Sequence, residues 1–142
     1  MNDQDIKDQV FLDWIEFGNG LGNERRCFQN PDDKNKCIKV SHKVRSKQTQ
    51  RELGYFKLLI KRGVPFIHLP NFYGMIDSKD YIGLIQEIIV DSSGDISQNL
   101  IDFILCDSFD KDKKNKILYI LDELKLYLLK YNIIPCDLMM TN

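Results

Sequence analysis

The sequence predicts an α+β chain in which a five-stranded antiparallel sheet carries one helix and a helical segment follows. Three observations predict it. Short apolar runs separated by turn residues fill most of the first ninety positions. A 3.6-residue periodicity interrupts them between Lys47 and Arg62. Beyond the polar linker Asp91-Ser92-Ser93-Gly94-Asp95 the apolar period is helical. The two parts are expected at about residues 9–88 and 89–142.

Val10 to Phe17 reads as the first strand, and Gly18-Asn19-Gly20-Leu21-Gly22 turns the chain into a second, Arg25 to Phe28. Asn30-Pro31-Asp32-Asp33 is a turn, because Asn favours its first position and Pro presets the next φ. Lys36 to Val40 returns as the third strand. In the helix Lys47 to Arg62, Glu52, Phe56 and Leu59 share a face, Leu53 and Ile60 flank it, and Lys61-Arg62-Gly63 closes it. Gly54 inside this helix costs about 1 kcal/mol relative to alanine, so packing has to hold the helix together. Pro65 and Pro70 bracket a loop, and Phe72 to Ile76 and Tyr81 to Glu87 form a hairpin around Ser78-Lys79-Asp80. Past the linker, Ser97 is placed to cap a helix reaching Leu105. A longer helix runs from about Asp112 to Tyr131, with Ile117, Leu121, Leu124 and Leu128 on one apolar face.

With 43% hydrophobic and 29% charged residues, the composition is that of a globular protein. A net charge of −1 gives no electrostatic reason to expect nucleic acid or an anionic membrane as partner. No apolar run approaches the roughly 20 residues that span a bilayer. Cys27, Cys37, Cys106 and Cys136 lack CxxC spacing, and His42 and His68 are the only histidines. Free thiols in a reducing cytoplasm are therefore expected, and the acidic start is unlike a signal peptide. The run Lys111-Asp112-Lys113-Lys114 reads as a solvated helix start.

The residues able to do chemistry come in a telling order. A glycine loop leading from strand to strand, and not into a helix, argues against a dinucleotide fold and fits a flap over phosphates. Its candidate contacts are Gly18, Gly20 and Gly22; Asn23 stands where a further glycine is expected and tolerates positive φ. A plain hairpin turn is the simpler alternative. Lys39 sits between Ile38 and Val40, so its side chain shares a face with Cys37. An unpaired ammonium on a packed sheet face would cost several kcal/mol, and Glu52 on the following helix is the obvious partner. Otherwise Lys39 is an exposed strand lysine. Glu87-Ile88-Ile89-Val90 would be a hinge whose backbone pairs with an adenine edge, which makes Glu87 and Ile89 nucleotide-contact candidates. Asp137 and Asn142 show the D-x-x-x-x-N spacing of a catalytic loop directly after a long helix. Phosphoryl transfer needs these parts in this order. The expected ligands are ATP and Mg²⁺. Lys39 would neutralise phosphate charge, Glu52 orient Lys39, Asp137 accept or orient the acceptor proton, and Asn142 ligate the metal.

The segments Glu24-Arg25-Arg26-Cys27-Phe28, Asn30-Pro31-Asp32-Asp33, Lys36-Cys37-Ile38-Lys39-Val40 and Arg51-Glu52-Leu53-Gly54-Tyr55-Phe56 resemble motifs of the PhoP regulatory network YrbL family. Pro70-Asn71-Phe72-Tyr73-Gly74 and Tyr127-Leu128 with Asn132-Ile133-Ile134 are similar to it as well, and the likeness covers roughly residues 15–142. The resemblance implies a protein-kinase-like fold, with a five-stranded small lobe plus one helix and a truncated helical large lobe. It implies either phosphate transfer to a hydroxyl of an unknown protein or small-molecule acceptor, or a pseudokinase-like regulatory or binding module without turnover. Kinases carry His-Arg and often Lys-Pro around the catalytic Asp, where this chain has Pro135-Cys136 and Met139-Met140. The family continues past the position of Asn142, so the sequence reads as an N-terminal portion, expected to be inactive by itself.

Overall fold

The computed structural model describes residues 13–17, 25–105 and 110–135. They form a five-stranded sheet and three helices in two compact units, Met1–Val90 and Asp91–Asn142. The first unit holds β1 (Ile15–Phe17), β2 (Arg26–Gln29), β3 (Lys36–His42), a 3₁₀ turn (Lys43–Arg45), α1 (Lys47–Lys61), β4 (Phe72–Asp77) and β5 (Tyr81–Glu87). The second holds α2 (Leu100–Leu105) and α3 (Lys111–Lys130).

All strand pairs are antiparallel in the order β1-β2-β3-β5-β4, so the β4–β5 hairpin lies beside β3 through its second strand. The β2–β3 connection is the expected turn, with Asn30 Oδ1 accepting the N–H groups of Asp32 and Asp33. The strand β3 runs two residues beyond the expected Val40, because Ser41 and His42 still pair with Ile82 and Tyr81. In the opposite direction, β1 is shorter than expected; the start of the predicted run, Val10 to Leu12, lies outside the described residues.

Strict alternation gives the sheet two differently packed faces. Phe28, Ile38, Val40 and Tyr81 form a buried cluster, with Trp14, Ile76 and Ile85 against it. The other face takes α1. Leu53 packs with Ile82, Leu84 and Phe72, Phe56 stacks on Phe72 at 4.8 Å between ring centroids, and the buried Ser41 and Thr49 hydroxyls hydrogen-bond to each other. Thr49, Leu53, Phe56 and Leu59 are the buried side of the helix. Gly63, at φ 67°, ends it in a left-handed residue, after which Val64 N–H reaches back to the Leu59 carbonyl.

Gly54 is on the exposed side of α1, and a Cβ there would meet nothing within 4 Å. Gly54→Ala is therefore expected to stabilise the protein by about 0.5–1 kcal/mol, through lower chain entropy in the unfolded state. Urea denaturation checks this; an unchanged or lowered midpoint contradicts it.

In the second unit the cap of the short helix differs from expectation. Asn99 Oδ1, not Ser97, accepts the first-turn N–H of Asp102, and α2 begins at Leu100. An amide one residue before the first turn fits the N-cap position better than a hydroxyl three residues before it. Asp110 caps α3 by accepting the Lys113 N–H. Of the expected apolar face, Ile117, Leu124 and Leu128 are half-buried while Leu121 is exposed. Tyr127, which the spacing did not single out, is the helix's buried residue.

Candidate anion site around Lys39 and Glu52

Lys39 lies in the middle of β3, opposite Cys27 of β2 and Leu84 of β5. Period-two alternation puts it on the α1 side of the sheet with Cys37 and Ser41. Its Nζ is 3.5 Å from Glu52 Oε1, and both side chains keep some solvent contact, 30% and 24% exposed. A ligand can therefore reach the ammonium without dismantling the core.

Glu52 collects more than the expected partner. Arg25 Nη1 donates to its Oε2, and Gln86 Nε2 donates to its Oε1 at 2.6 Å. Arg25 is two residues before Cys27 and so on Lys39's face of the sheet, while Gln86 pairs with Cys37 across β5 and β3. Burial would push the Glu52 carboxyl's pKa up, but Lys39, the Gln86 hydrogen bond and Arg25 outweigh it and hold the group below the usual glutamate value. Gln86 is 1% exposed, and among the described residues its Oε1 has no hydrogen-bond partner. Fixed by one firm bond to Glu52, it braces the carboxylate from the floor of the sheet.

Two cations on one carboxylate leave a single positive charge in excess, on a partly dry, preorganised surface. Such a surface suits an anion, and a phosphate in particular. Thiol chemistry fits it poorly. Burial pushes the Cys37 thiol up to about 11 against the pull of Lys39, and burial likewise raises Cys27. Both stay protonated and unreactive at neutral pH.

The other candidates fall elsewhere. Gly18, Gly20 and Gly22 lie outside the described residues, as do Asp137, Asn142, Cys106 and Cys136. Glu87 ends β5, where its N–H meets the Asn71 carbonyl and its carboxylate accepts both the backbone N–H and the Nδ2 of Asn71. Its side chain is thus committed to the neighbouring loop. Glu87 and the exposed Ile89 line a cavity of about 400 Å³ with Phe66, His68 and Pro70. Glu87 pairs with Lys36, three positions along β3 from Lys39, or roughly 10 Å. Among the described residues no group of three His, Cys, Asp or Glu could hold a metal ion. Nor, among them, is any helix long and apolar enough to cross a membrane.

Arg25 and Gln86 are the site residues that sequence reasoning missed. A signal existed for each. Arg25 shares the parity of Cys27, and Gln86 is an amide that directly continues the apolar run Tyr81-Ile82-Gly83-Leu84-Ile85, so it needs a buried partner.

Comparison with known proteins gives a consistent result. The family described as PhoP regulatory network protein YrbL matches residues 18–142. Two curated relatives, each named "Uncharacterized protein YrbL", come from Escherichia coli (strain K12) and Shigella flexneri. Each is 27% identical over 122 residues, covering 84% of this chain. The matched segment spans 58% of the length of these relatives. No solved structure matches.

Proposed function

The chain belongs to the PhoP regulatory network protein YrbL family, and on that premise we propose that it is the nucleotide-binding part of a kinase-like cytoplasmic protein that takes ATP with Mg²⁺. The observation that carries the reading is the contact between Lys39 on β3 and Glu52 on α1. A lysine on a sheet strand, held by a helix carboxylate and still open to solvent, is what phosphoryl transfer uses to neutralise and align phosphates. In this reading Lys39 meets the phosphate oxygens, while Glu52, braced by Arg25 and Gln86, fixes where Lys39 points. The segment at Glu87 to Ile89 lies at a nucleotide's reach along the same strands. Gly18, Gly20 and Gly22 would supply the loop over the phosphates. Asp137 would position the acceptor hydroxyl and Asn142 would hold the metal, whose chemistry there would be charge neutralisation at the phosphates. Catalysis of this type is mostly positioning and electrostatics.

A module that binds nucleotide without turnover is the second reading, favoured by Pro135-Cys136 where kinases carry His-Arg. Both readings require the Lys39 site, and turnover separates them.

Saturating Mg²⁺-ATP, at about 100 times its Kd, is expected to stabilise the protein by about 2.7 kcal/mol and raise its melting temperature by roughly 5–10 °C. Lys39→Met is expected to abolish that shift. No shift in the unsubstituted protein with either Mg²⁺ or Mn²⁺ removes the nucleotide site, and an equal shift in Lys39→Met removes Lys39 from it.

A further inference from the structure

The side of α1 turned away from the sheet carries a charge pattern that the nucleotide reading does not use. Residues 43–62 hold seven of the chain's 20 lysines and arginines and one acid, Glu52, which points inward. A segment of strong positive charge therefore sits in a chain of net charge −1. Lys47, Arg51, Lys57 and Lys61 have no ion-pair partner among the described residues.

Positions 47, 51, 54, 58 and 61 recur at spacings of 4, 3, 4 and 3, so they form one continuous stripe along the helix. Cations stand at its two ends. Its centre is Gly54 beside Leu58, which is 46% exposed. Gly54 has no structural reason to be glycine, since a Cβ would meet nothing within 4 Å and no positive φ requires it. What a missing side chain does allow is close approach of another backbone. A phosphate polymer or a lipid headgroup gains nothing from a glycine and a leucine between the lysines. A helix does: its backbone settles against Gly54, an apolar residue covers Leu58, and flanking carboxylates reach Lys47, Arg51 and Lys61.

We propose that this stripe of α1, centred on Gly54 and Leu58 and flanked by Lys47, Arg51 and Lys61, docks an acidic amphipathic helix of a partner protein. Docking there does not depend on nucleotide binding, but it would occupy the outer side of the helix whose inner side presents Glu52 to Lys39.

The probe is a fluorescently labelled acidic peptide with glutamates at i, i+4 spacing around an alanine–leucine seam, titrated with the purified protein by anisotropy. Three competitors are run beside it: a scrambled peptide of the same composition, a single-stranded oligonucleotide, and vesicles containing phosphatidylglycerol. The ordered peptide should bind about tenfold or more tightly than the scrambled one, and more weakly as salt rises. Lys47→Glu with Arg51→Glu should weaken it about tenfold or more, while Lys34→Glu with Lys79→Glu, the same change in net charge elsewhere, should leave it within about twofold. Gly54→Leu should also weaken it about tenfold without lowering the melting temperature, which separates lost docking from lost fold. Absence of peptide binding, indifference to scrambling or to Gly54→Leu, or preference for the oligonucleotide or vesicles overturns the proposal.

Discussion

Replacing Glu52 with alanine is expected to destabilise the sheet-bearing unit by about 2–4 kcal/mol. The carboxylate accepts hydrogen bonds from Arg25 and Gln86 and forms an ion pair with Lys39 at 3.5 Å. Its removal leaves Gln86 Nε2, on a residue 1% exposed, without its acceptor, and an unmade buried hydrogen bond alone costs about 1–3 kcal/mol. It also leaves the Lys39 and Arg25 cations facing the same gap with nothing between them. Residual solvent contact at both cations keeps the loss below that of breaking a dry ion pair. Glu52→Gln, which keeps the shape and one acceptor oxygen, should lose about half as much or less. Urea denaturation with an unchanged m-value measures both. A loss under about 0.5 kcal/mol for Glu52→Ala would mean the cluster behaves as a solvated surface pair. The same group predicts the acid limb. Because its folded-state pKa is depressed, Glu52 contributes stability that is present above the ordinary glutamate pKa and is lost as pH falls through the lower folded value. Glu52→Gln should flatten that limb of the stability–pH curve.

The difference between what was legible in the sequence and what was not follows from how far each interaction reaches along the chain. The sheet was legible because turn chemistry is local: Asn30-Pro31-Asp32-Asp33 and Ser78-Lys79-Asp80 each announce a hairpin by themselves. The Lys39–Glu52 contact was legible because a charged residue in an apolar strand raises an energetic demand that a nearby carboxylate can meet. The parity of Arg25 and the demand of an amide beside an apolar run were legible, but their meeting with Glu52 was not, because each reaches it from a distance of 27 or 34 residues. Such meetings depend on strand order and register, which a single sequence leaves open. Which part of the apolar surface of α3 is covered was not legible for a related reason. Periodicity tells which residues share a stripe, and only packing tells which part of a wide apolar surface is covered: Tyr127 is buried while Leu118, Ile120 and Leu126 stay exposed.

Strand register also accounts for a glycine the sequence does not explain. Gly83 lies in the middle of β5 opposite Val40, on the face of the sheet away from α1. A Cβ built there would stand 2.5 Å from Ile38 Cδ1 and 2.9 Å from its Cγ1. The Ile38 side chain thus occupies the space a side chain at 83 would need. Ile38 cannot swing clear, because it is completely buried among Phe28, Val40 and Tyr81. Gly83→Ala is accordingly expected to cost about 1–3 kcal/mol by overpacking, although alanine is otherwise no worse than glycine in a strand interior. The clash makes a second, sharper demand. Ile38→Val by itself should cost about 0.5–1.5 kcal/mol as a buried methyl is lost. In the Gly83→Ala background the same change removes the atom that clashes most, so it should recover stability. A coupling energy of about 1 kcal/mol or more, opposite in sign to simple addition, is the expected outcome of the double-mutant cycle. Additive losses would mean that Ile38 does not fill the space above Gly83, and that the glycine is tolerated in β5 for some reason other than packing.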